Sequence, residues 1–419
     1  MSLRDQIHQL GRQALEASRA LAVLPAASKN RILTAMADAL LSQGDAILAA
    51  NAIDLAAGQA KGLSAAMLDR LMLNPSRLAA MAQGVREVVD LPDPIGESLA
   101  DWNRPNGLHI RKIRVPIGVI GIIYESRPNV TSDAAVLCFK SGNATILRGG
   151  SEAFHSNTAI AAALQSGGEP AGLPPHSIQL VPFTERESVQ HLAEMNQYLD
   201  LIIPRGGKGL IETVVRLARM PVIKHYDGIC HVYVDARADL AMATAILLNS
   251  KIQKPSACNA AETLLVHQSI APAFYAHIVP LLRAAGVALH GGPDLTAAFP
   301  GEVTLASAEN YQTEYLDLAL SIKTVATLDE AIGHIRTYGS RHSEVIVTED
   351  ADNAARFLNE IDSSVLLWNA STRFNDGGEF GFGCEIGIST DKLHARGPMG
   401  LPELTSYKYQ VTGTGQVRA

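Results

Sequence analysis

Between residues 115 and 235 the chain alternates short apolar runs with amphipathic ones, and that rhythm leaves few folds open. VIGIIY, ATILRG, SIQLV and DLIIPRG read as strands. Residues 128–141, SEAFHSNTAIAAALQ (opened by Ser151), ERESVQHLAEM and GKGLIETVVRLAR read as helices between and after them, and HVYVD reads as the strand that ends the series. The strand runs are nearly continuous in apolar residues, the pattern of strands buried on both faces. Strand and helix in strict alternation predict a parallel sheet covered by helices. A second α/β series begins near Cys258 with ETLLVH, a helix over 271–285 and VALHG. EYLDLALSIKTV, TLDEAIGHIRTYG, SEVIVTED, ADNAARFLNEI and SVLLW complete it.

The flanks differ from these two series. The first ninety residues carry helical spacing. Ser28 is placed to cap a helix whose buried stripe is Ile32, Leu33, Met36, Leu40 and Leu41, and Asn74-Pro75 restarts a helix that runs towards Val89. LPDPIGES is a loop. GLHIRKIRV, residues 107–115, alternates and then slips at Lys112, which predicts an exposed, bulged strand. Its basic face is either simply solvated or belongs to a strand set outside the core for subunit pairing. The Gly-rich segment 397–418 is the candidate partner strand.

Composition removes several classes of function. A chain of 419 residues with 47% hydrophobic and 18% charged residues is globular and long enough for two or three domains. A net charge of -7 excludes a basic field for nucleic acid, so an anionic ligand must be met by local donors. Cys138, Cys230, Cys258 and Cys384 are far apart with no CxxC, which suggests neither a zinc site nor a disulfide framework. The N-terminus is not a signal peptide, and the longest apolar run is about half of a membrane span. A soluble, cytoplasmic protein is expected, with no membrane or nucleic-acid partner.

Four segments carry candidate chemistry. KIQKPSACNAAETLLVH (251–267) sets Cys258 between a turn and an apolar strand, where a thiol is held still and reached by substrate. The other reading is a small buried hydrophobe. A lowered thiol pKa is expected from backbone dipoles and from Lys251 or Lys254. LIIPRGGKGLIET (201–213) offers Gly206, Gly207 and a helix start to a phosphate, with Arg205 and Lys208 adding charge. The alternative is an ordinary βα turn. ATILRGGSE (144–152) brings Arg148 out at a strand end with Ser151 three residues on, a pairing that suits the 2′-phosphate of NADP better than the ribose of NAD. YESRPNVTSD (124–133) holds Ser126 and Asn129 as oxyanion donors or helix caps, and Arg127 for a phosphate or carboxylate. The Gly-rich loop 374–390 suits an active-site mouth or a surface connection, and Cys384 in it has no evident partner.

Three segments together carry a family resemblance: VPIGVIGIIYESRPNVTSDAAVLCFKSGNATILRGGSEAFHSN, the cysteine segment, and EFGFGCEIGIST. They resemble the γ-glutamyl phosphate reductase branch of the aldehyde dehydrogenase superfamily. The resemblance implies an α/β fold with a Rossmann-like cofactor domain (1–103 and 118–254), a catalytic domain (255–384) and a small β oligomerisation flap with the C-terminal segment (104–117 and 385–419). It implies reduction of L-glutamyl 5-phosphate by NADPH to L-glutamate 5-semialdehyde, phosphate and NADP+, the second step of proline synthesis. Cys258 matches the nucleophile, Arg148 the residue at the adenosine ribose, and Ser151 a position where NAD-preferring members carry Glu. Gly206 and Gly207 match the pyrophosphate turn, and Glu314 the glutamate on the nicotinamide ribose. Ser126 falls at the oxyanion position with Asn129 as rival, while Arg127, Arg373 and Ser389 are candidates for holding substrate. A homo-oligomer is implied, and an upstream glutamate kinase is a conceivable partner. The Glu general base of hydrolytic members is missing from IKHYDGICHVYV (223–234), and Asp227 is offset. The competing readings are a hydrolytic NAD-dependent aldehyde dehydrogenase and a silent scaffold on the same fold.

Overall fold

The computed structural model describes residues 1–418, and for Ala66 the backbone only. The chain forms two compact units, one of residues 1–224 with 381–387 and the chain from 398 onwards, the other of residues 225–380 with 388–397.

The first unit opens with five helices, from Leu3–Leu21 to Pro75–Asp90. The last of them starts where Asn74-Pro75 predicts, with the Asn74 side chain accepting the Arg77 N–H. The second departs from expectation. It runs Ala26–Ser42 from Pro25 with no side-chain cap, so Ser28 lies inside it. Its buried stripe ends at Leu40, and Leu41 falls off the edge into solvent.

Strands β1 (Ser98–Asn103) and β2 (His109–Pro116) pair antiparallel, and β2 pairs on its other side with Thr405–Thr412. The C-terminal segment is thus the partner of β2, as predicted, but β2 is half-buried between its two neighbours rather than exposed. The register slips between Ser98 and Ala100, opposite Ile113 and Lys112. The extra residue, Leu99, belongs to the partner strand and not to β2.

Four parallel strands follow: β3 (Val119–Tyr124), β4 (Ala144–Gly149), β5 (Ile178–Leu180) and β6 (Leu201–Arg205), in spatial order β5-β4-β3-β6. Every residue of β3 is buried, as its unbroken apolar run requires. The order reverses between β3 and β6.

The second unit carries a seven-stranded parallel sheet. Its strands are β7 (Cys230–Val234), β8 (Ala261–His267), β9 (Ala288–Gly291), β10 (Val303–Leu305), β11 (Ala319–Val325), β12 (Ser343–Val347) and β13 (Val365–Trp368). They lie in the order β10-β9-β11-β8-β7-β12-β13. One face packs Val232, Leu264, Phe274, Leu320 and Val345; the other packs Tyr233, Leu265, Ile346 and Phe357. The strand HVYVD does not end the first sheet. It is β7, paired to β8 and β12. Its apolar pattern continues the first rhythm, but residues 218–229 carry the chain from one sheet to the other, and a connection of that length exceeds the usual αβ loop. Strand β10 and the short helices on either side were not expected, because three- to six-residue elements leave little periodicity. No single helix among the described residues is long and apolar enough to cross a membrane.

Candidate active site

In the first unit, the predicted residues share one edge of the sheet. Tyr124 stands level with Gly149 on one side and with Arg205 on the other, so β3, β4 and β6 end together. Ser126, Arg127 and Asn129 follow β3, Arg148 is the penultimate residue of β4 with Ser151 just beyond, and Gly206 and Gly207 follow β6. The strand order reverses between β3 and β6, and such a switch point at strand carboxyl ends is where open α/β sheets bind ligands.

The turn after β6 leads into the helix Lys208–Leu217. The Gly207 N–H donates to Glu125 Oε2 at 2.9 Å. An anionic oxygen from the chain itself therefore occupies a donor that a phosphate oxygen would use, and a Cβ at Gly206 would overlap that carboxylate. The turn fits an anion of this size, which is the test a nicotinamide dinucleotide sets. Ser126 sits at φ +44°, and both its N–H and its hydroxyl donate to Glu152 Oε1. Asn129 Nδ2 donates to Asp133. Arg148 is nearly buried and donates to Ser188 Oγ and to the carbonyls of Gly149, Thr184 and Glu185. It shapes the loop after β5 as well as marking the end of β4. Ser151 is exposed and opens a 3-10 turn, and its side chain caps nothing. The helix Phe154–Gly168 behind it is capped instead by Asp54, which accepts the N–H groups of His155 and Ser156.

In the second unit, the candidate groups gather at the opposite end of the strands. Cys258 lies three residues before β8, His225 five before β7, His342 one before β12 and Glu314 five before β11. Cys258 keeps partial exposure. Its Sγ and one ring nitrogen each of His225 and His342 all lie within 4.8 Å of one another. The two rings meet edge to face at 5.5 Å. His225 Nδ1 lies 2.8 Å from the Ile388 carbonyl, which can only accept, so Nδ1 carries a proton there. Nδ1 of His342 is 2.8 Å from Ser343 Oγ, and its Nε2 is buried without a hydrogen-bond partner among the described residues.

Burial alone raises the Cys258 thiol. The two imidazoles outweigh it, His342 first by its charge and then both rings by hydrogen bonding and charge, and hold the thiol well below its ordinary value. The expected source was different. Lys251 is buried against Glu262 at 2.6 Å, and the helix Leu240–Ile252 ends rather than begins on this side of the sheet, so its dipole opposes a thiolate. Cys230 makes the contrast: burial first, then Glu344 and Cys258, lift its thiol well above the usual value, and its Sγ donates to the Cys258 carbonyl at 3.3 Å.

Two acids frame the pocket. Glu314 Oε1 accepts the Gly228 N–H at 2.8 Å, and burial raises its carboxyl. Gly228 packs so closely that a Cβ there would overlap the Cys258 carbonyl, so this glycine sets how near Glu314 stands to the thiol. Glu262 accepts the Leu316 N–H at 3.2 Å and so pins the loop that carries Glu314. Arg373 donates to Gln253 at 2.7 Å, and Ser389, fully buried, accepts the Asp391 N–H. Cys384, in the first unit, is not without a partner: its Sγ faces the Gly84 carbonyl at 3.6 Å, and burial pushes its thiol up to about 12. His225 and His342 lie outside the four candidate segments of the sequence. The overlong 218–229 connection was a signal for the first; nothing in the sequence marks the second.

The aldehyde dehydrogenase family model matches residues 2–297. Gamma-glutamyl phosphate reductase of Paramagnetospirillum magneticum is 54% identical, over 98% of this chain and 96% of its own. The reductase of the same name from Geotalea daltonii is 53% identical, over 100% of both chains. The crystal structure of gamma-glutamyl phosphate reductase from Thermotoga maritima matches with a TM-score of 0.96 at 44% identity, covering 99% of this chain and 100% of that one. The chain belongs to the aldehyde dehydrogenase family, in its gamma-glutamyl phosphate reductase branch.

Proposed function

We infer that the chain reduces L-glutamyl 5-phosphate to L-glutamate 5-semialdehyde with release of phosphate, the second step of proline synthesis, through a thioester on Cys258. The observation that carries the chemistry is the Cys258 sulfur beside two imidazoles. Nε2 of His225 is placed to take the thiol proton, and the thiolate adds to the acyl carbon. The tetrahedral oxyanion takes the Cys258 backbone N–H, with Ser126 and Asn129 as candidate side-chain donors. Its collapse breaks the bond to phosphate, which departs with the electron pair and leaves the thioester. A nicotinamide cofactor, when bound, supplies the hydride that turns the thioester carbon into that of an aldehyde. The C–S bond then breaks, and the imidazoles stabilise the thiolate that leaves.

The first unit is assigned to the cofactor and the second to the thiol. Gly206 and Gly207 would hold the pyrophosphate once Glu125 withdraws. Glu314 has one carboxylate oxygen on Gly228 and its second for a ribose hydroxyl. A preference for NADPH is supported by Arg148 and Ser151 at the end of β4, where the nearest acid, Glu152, is turned to Ser126. Arg127, Arg373 and Ser389 are assigned to substrate carboxylate, phosphate and amino groups.

The exposed sheet of β1, β2 and the C-terminal strand bears Trp102, Tyr407, Tyr409 and Val411 on its surface, which favours a homo-oligomer. Free thiols favour the cytoplasm. The lability of an acyl phosphate favours hand-over from an associated glutamate kinase. The test is semialdehyde oxidation with phosphate present or omitted, and with NADP+ against NAD+. Turnover that requires phosphate and prefers NADP+ is expected. Equal turnover without phosphate would instead establish the hydrolytic reading, with water activated by a group other than the missing Glu.

A further inference from the structure

Three donors from distant parts of the chain converge at one point: a cysteine sulfur and two imidazole nitrogens, all within 4.8 Å. We propose that this pocket is also a site for a soft divalent cation of the zinc type, bound by Cys258, His225 and His342, and that occupation switches the enzyme off reversibly by removing its nucleophile. This rests on Cys258 being that nucleophile; the binding itself does not.

The donor set is the argument. Thiolate and imidazole are the preferred ligands of Zn2+, and three protein ligands with an open fourth position form a known class of zinc coordination. Metal–sulfur and metal–nitrogen distances of about 2.3 Å and 2.0 Å place tetrahedral donors about 3.3–3.5 Å apart, so side-chain shifts of about 1 Å close the site. The surroundings are those of a ligand shell. His225 donates Nδ1–H to the Ile388 carbonyl and His342 holds Nδ1 against Ser343, the outer contacts that fix the tautomer and aim of a metal-binding imidazole. His342 is completely buried and its Nε2 has no hydrogen-bond partner among the described residues. A buried ring nitrogen left without a hydrogen bond is an uncompensated cost in the free chain, and once deprotonated it would gain its partner from a cation at this point. The reaction is an exchange: the thiol proton leaves to solvent, a bond forms between sulfur and metal, and no electrons are transferred. The sequence offered no zinc motif because positions 225, 258 and 342 meet only in the fold.

The experiment uses the whole chain, stripped with a chelator. Cobalt(II) is titrated in as a spectroscopic stand-in for zinc, and binding is read from the thiolate-to-metal charge-transfer band. One equivalent per chain is expected in the wild type. Cys258→Ser should abolish the band, Cys230→Ser should keep it, and His225→Gln or His342→Gln should weaken binding by about 100-fold or more, beyond the roughly 10–100-fold that loss of a mere outer contact costs. A second reading needs no variant: one equivalent of Zn2+ should block iodoacetamide at Cys258, located by peptide mass, and the chelator should restore labelling. The proposal fails if the wild type shows no band, if both His variants bind like wild type, or if Zn2+ leaves labelling unchanged. Absence of phosphate-dependent turnover in the stripped enzyme would count against the catalytic reading alone.

Discussion

The two sheets put their candidate site residues at opposite ends. In the first, Ser126, Arg148, Gly206 and Gly207 stand at the carboxyl ends of parallel strands. In the second, His225, Cys258, Glu314 and His342 stand before the strands they lead into. The difference is electrostatic. A helix that follows a strand begins at the strand's carboxyl end and offers free N–H groups there, which suits phosphate. A helix that precedes a strand delivers its C-terminus and carbonyls to the amino end, which disfavours an anion. A thiolate at that end must be stabilised by side chains, and two imidazoles do it. One site is therefore built mainly from backbone, the other from side chains.

Substitutions separate the two kinds of site. The largest effect is expected from Cys258→Ala: semialdehyde oxidation with phosphate and NADP+ should fall by about 10⁴-fold or more, as removal of a covalent nucleophile does. Cofactor affinity, measured by quenching of intrinsic fluorescence, should stay near wild type. Loss of cofactor binding in the same variant would mean the two sites are not separable. Next in size are His342→Gln and His225→Gln. Each should slow alkylation of Cys258 by about 100-fold at neutral pH, the scale of one acid–base partner. In chelator-treated wild type, alkylation should persist well below the usual thiol range, since the folded thiol ionises early. In either variant its midpoint should move up towards the ordinary value. A midpoint unmoved by both would return the lowered thiol to backbone dipoles.

The same contrast explains what was legible in the sequence. Backbone sites are written locally: Gly206-Gly207 after an apolar run and Arg148-Gly-Gly-Ser151 announced strand, turn and helix without knowledge of the fold. Both sheets, the strand at 109–116 and its C-terminal partner were legible for the same reason, since period and turn chemistry are local. Side-chain sites are written across the chain. Cys258 was found from its own segment, but its pKa partners lie 33 residues before it and 84 after it. Lys251 and Lys254 were favoured because they are near in sequence, yet Lys251 is engaged by Glu262. The misplacement of β7 has the same origin: a strand's pattern shows that it is buried, not which sheet buries it.

A smaller effect is expected from Ser151→Glu. Ser151 is exposed and caps nothing, so thermal stability should change by no more than about 0.5 kcal/mol. A carboxylate there should repel a 2′-phosphate and accept from a free 2′-hydroxyl, turning preference towards NAD+ by about tenfold to hundredfold in kcat/KM. Alkylation of Cys258 should not respond. An unchanged NADP+ to NAD+ ratio would remove Ser151 from the cofactor site.

The smallest effect tests whether the chain's own carboxylate competes for the phosphate donor. Glu125 Oε2 accepts the Gly207 N–H at 2.9 Å. Binding a pyrophosphate there requires that hydrogen bond to break and a negative charge to move aside. Glu125→Gln keeps an acceptor of the same shape and removes the charge. The contact is exposed, so its worth is at the low end for a charged hydrogen bond, about 0.5–1 kcal/mol. NADP+ and ADP-ribose should both bind about twofold to fivefold more tightly, and the gain should shrink at high salt as screening removes the repulsion. Weaker binding of both ligands would mean that Glu125 holds the turn in shape for the cofactor rather than standing in its place. The backbone site would then depend on a side chain after all, and the contrast between the two sheet ends would narrow.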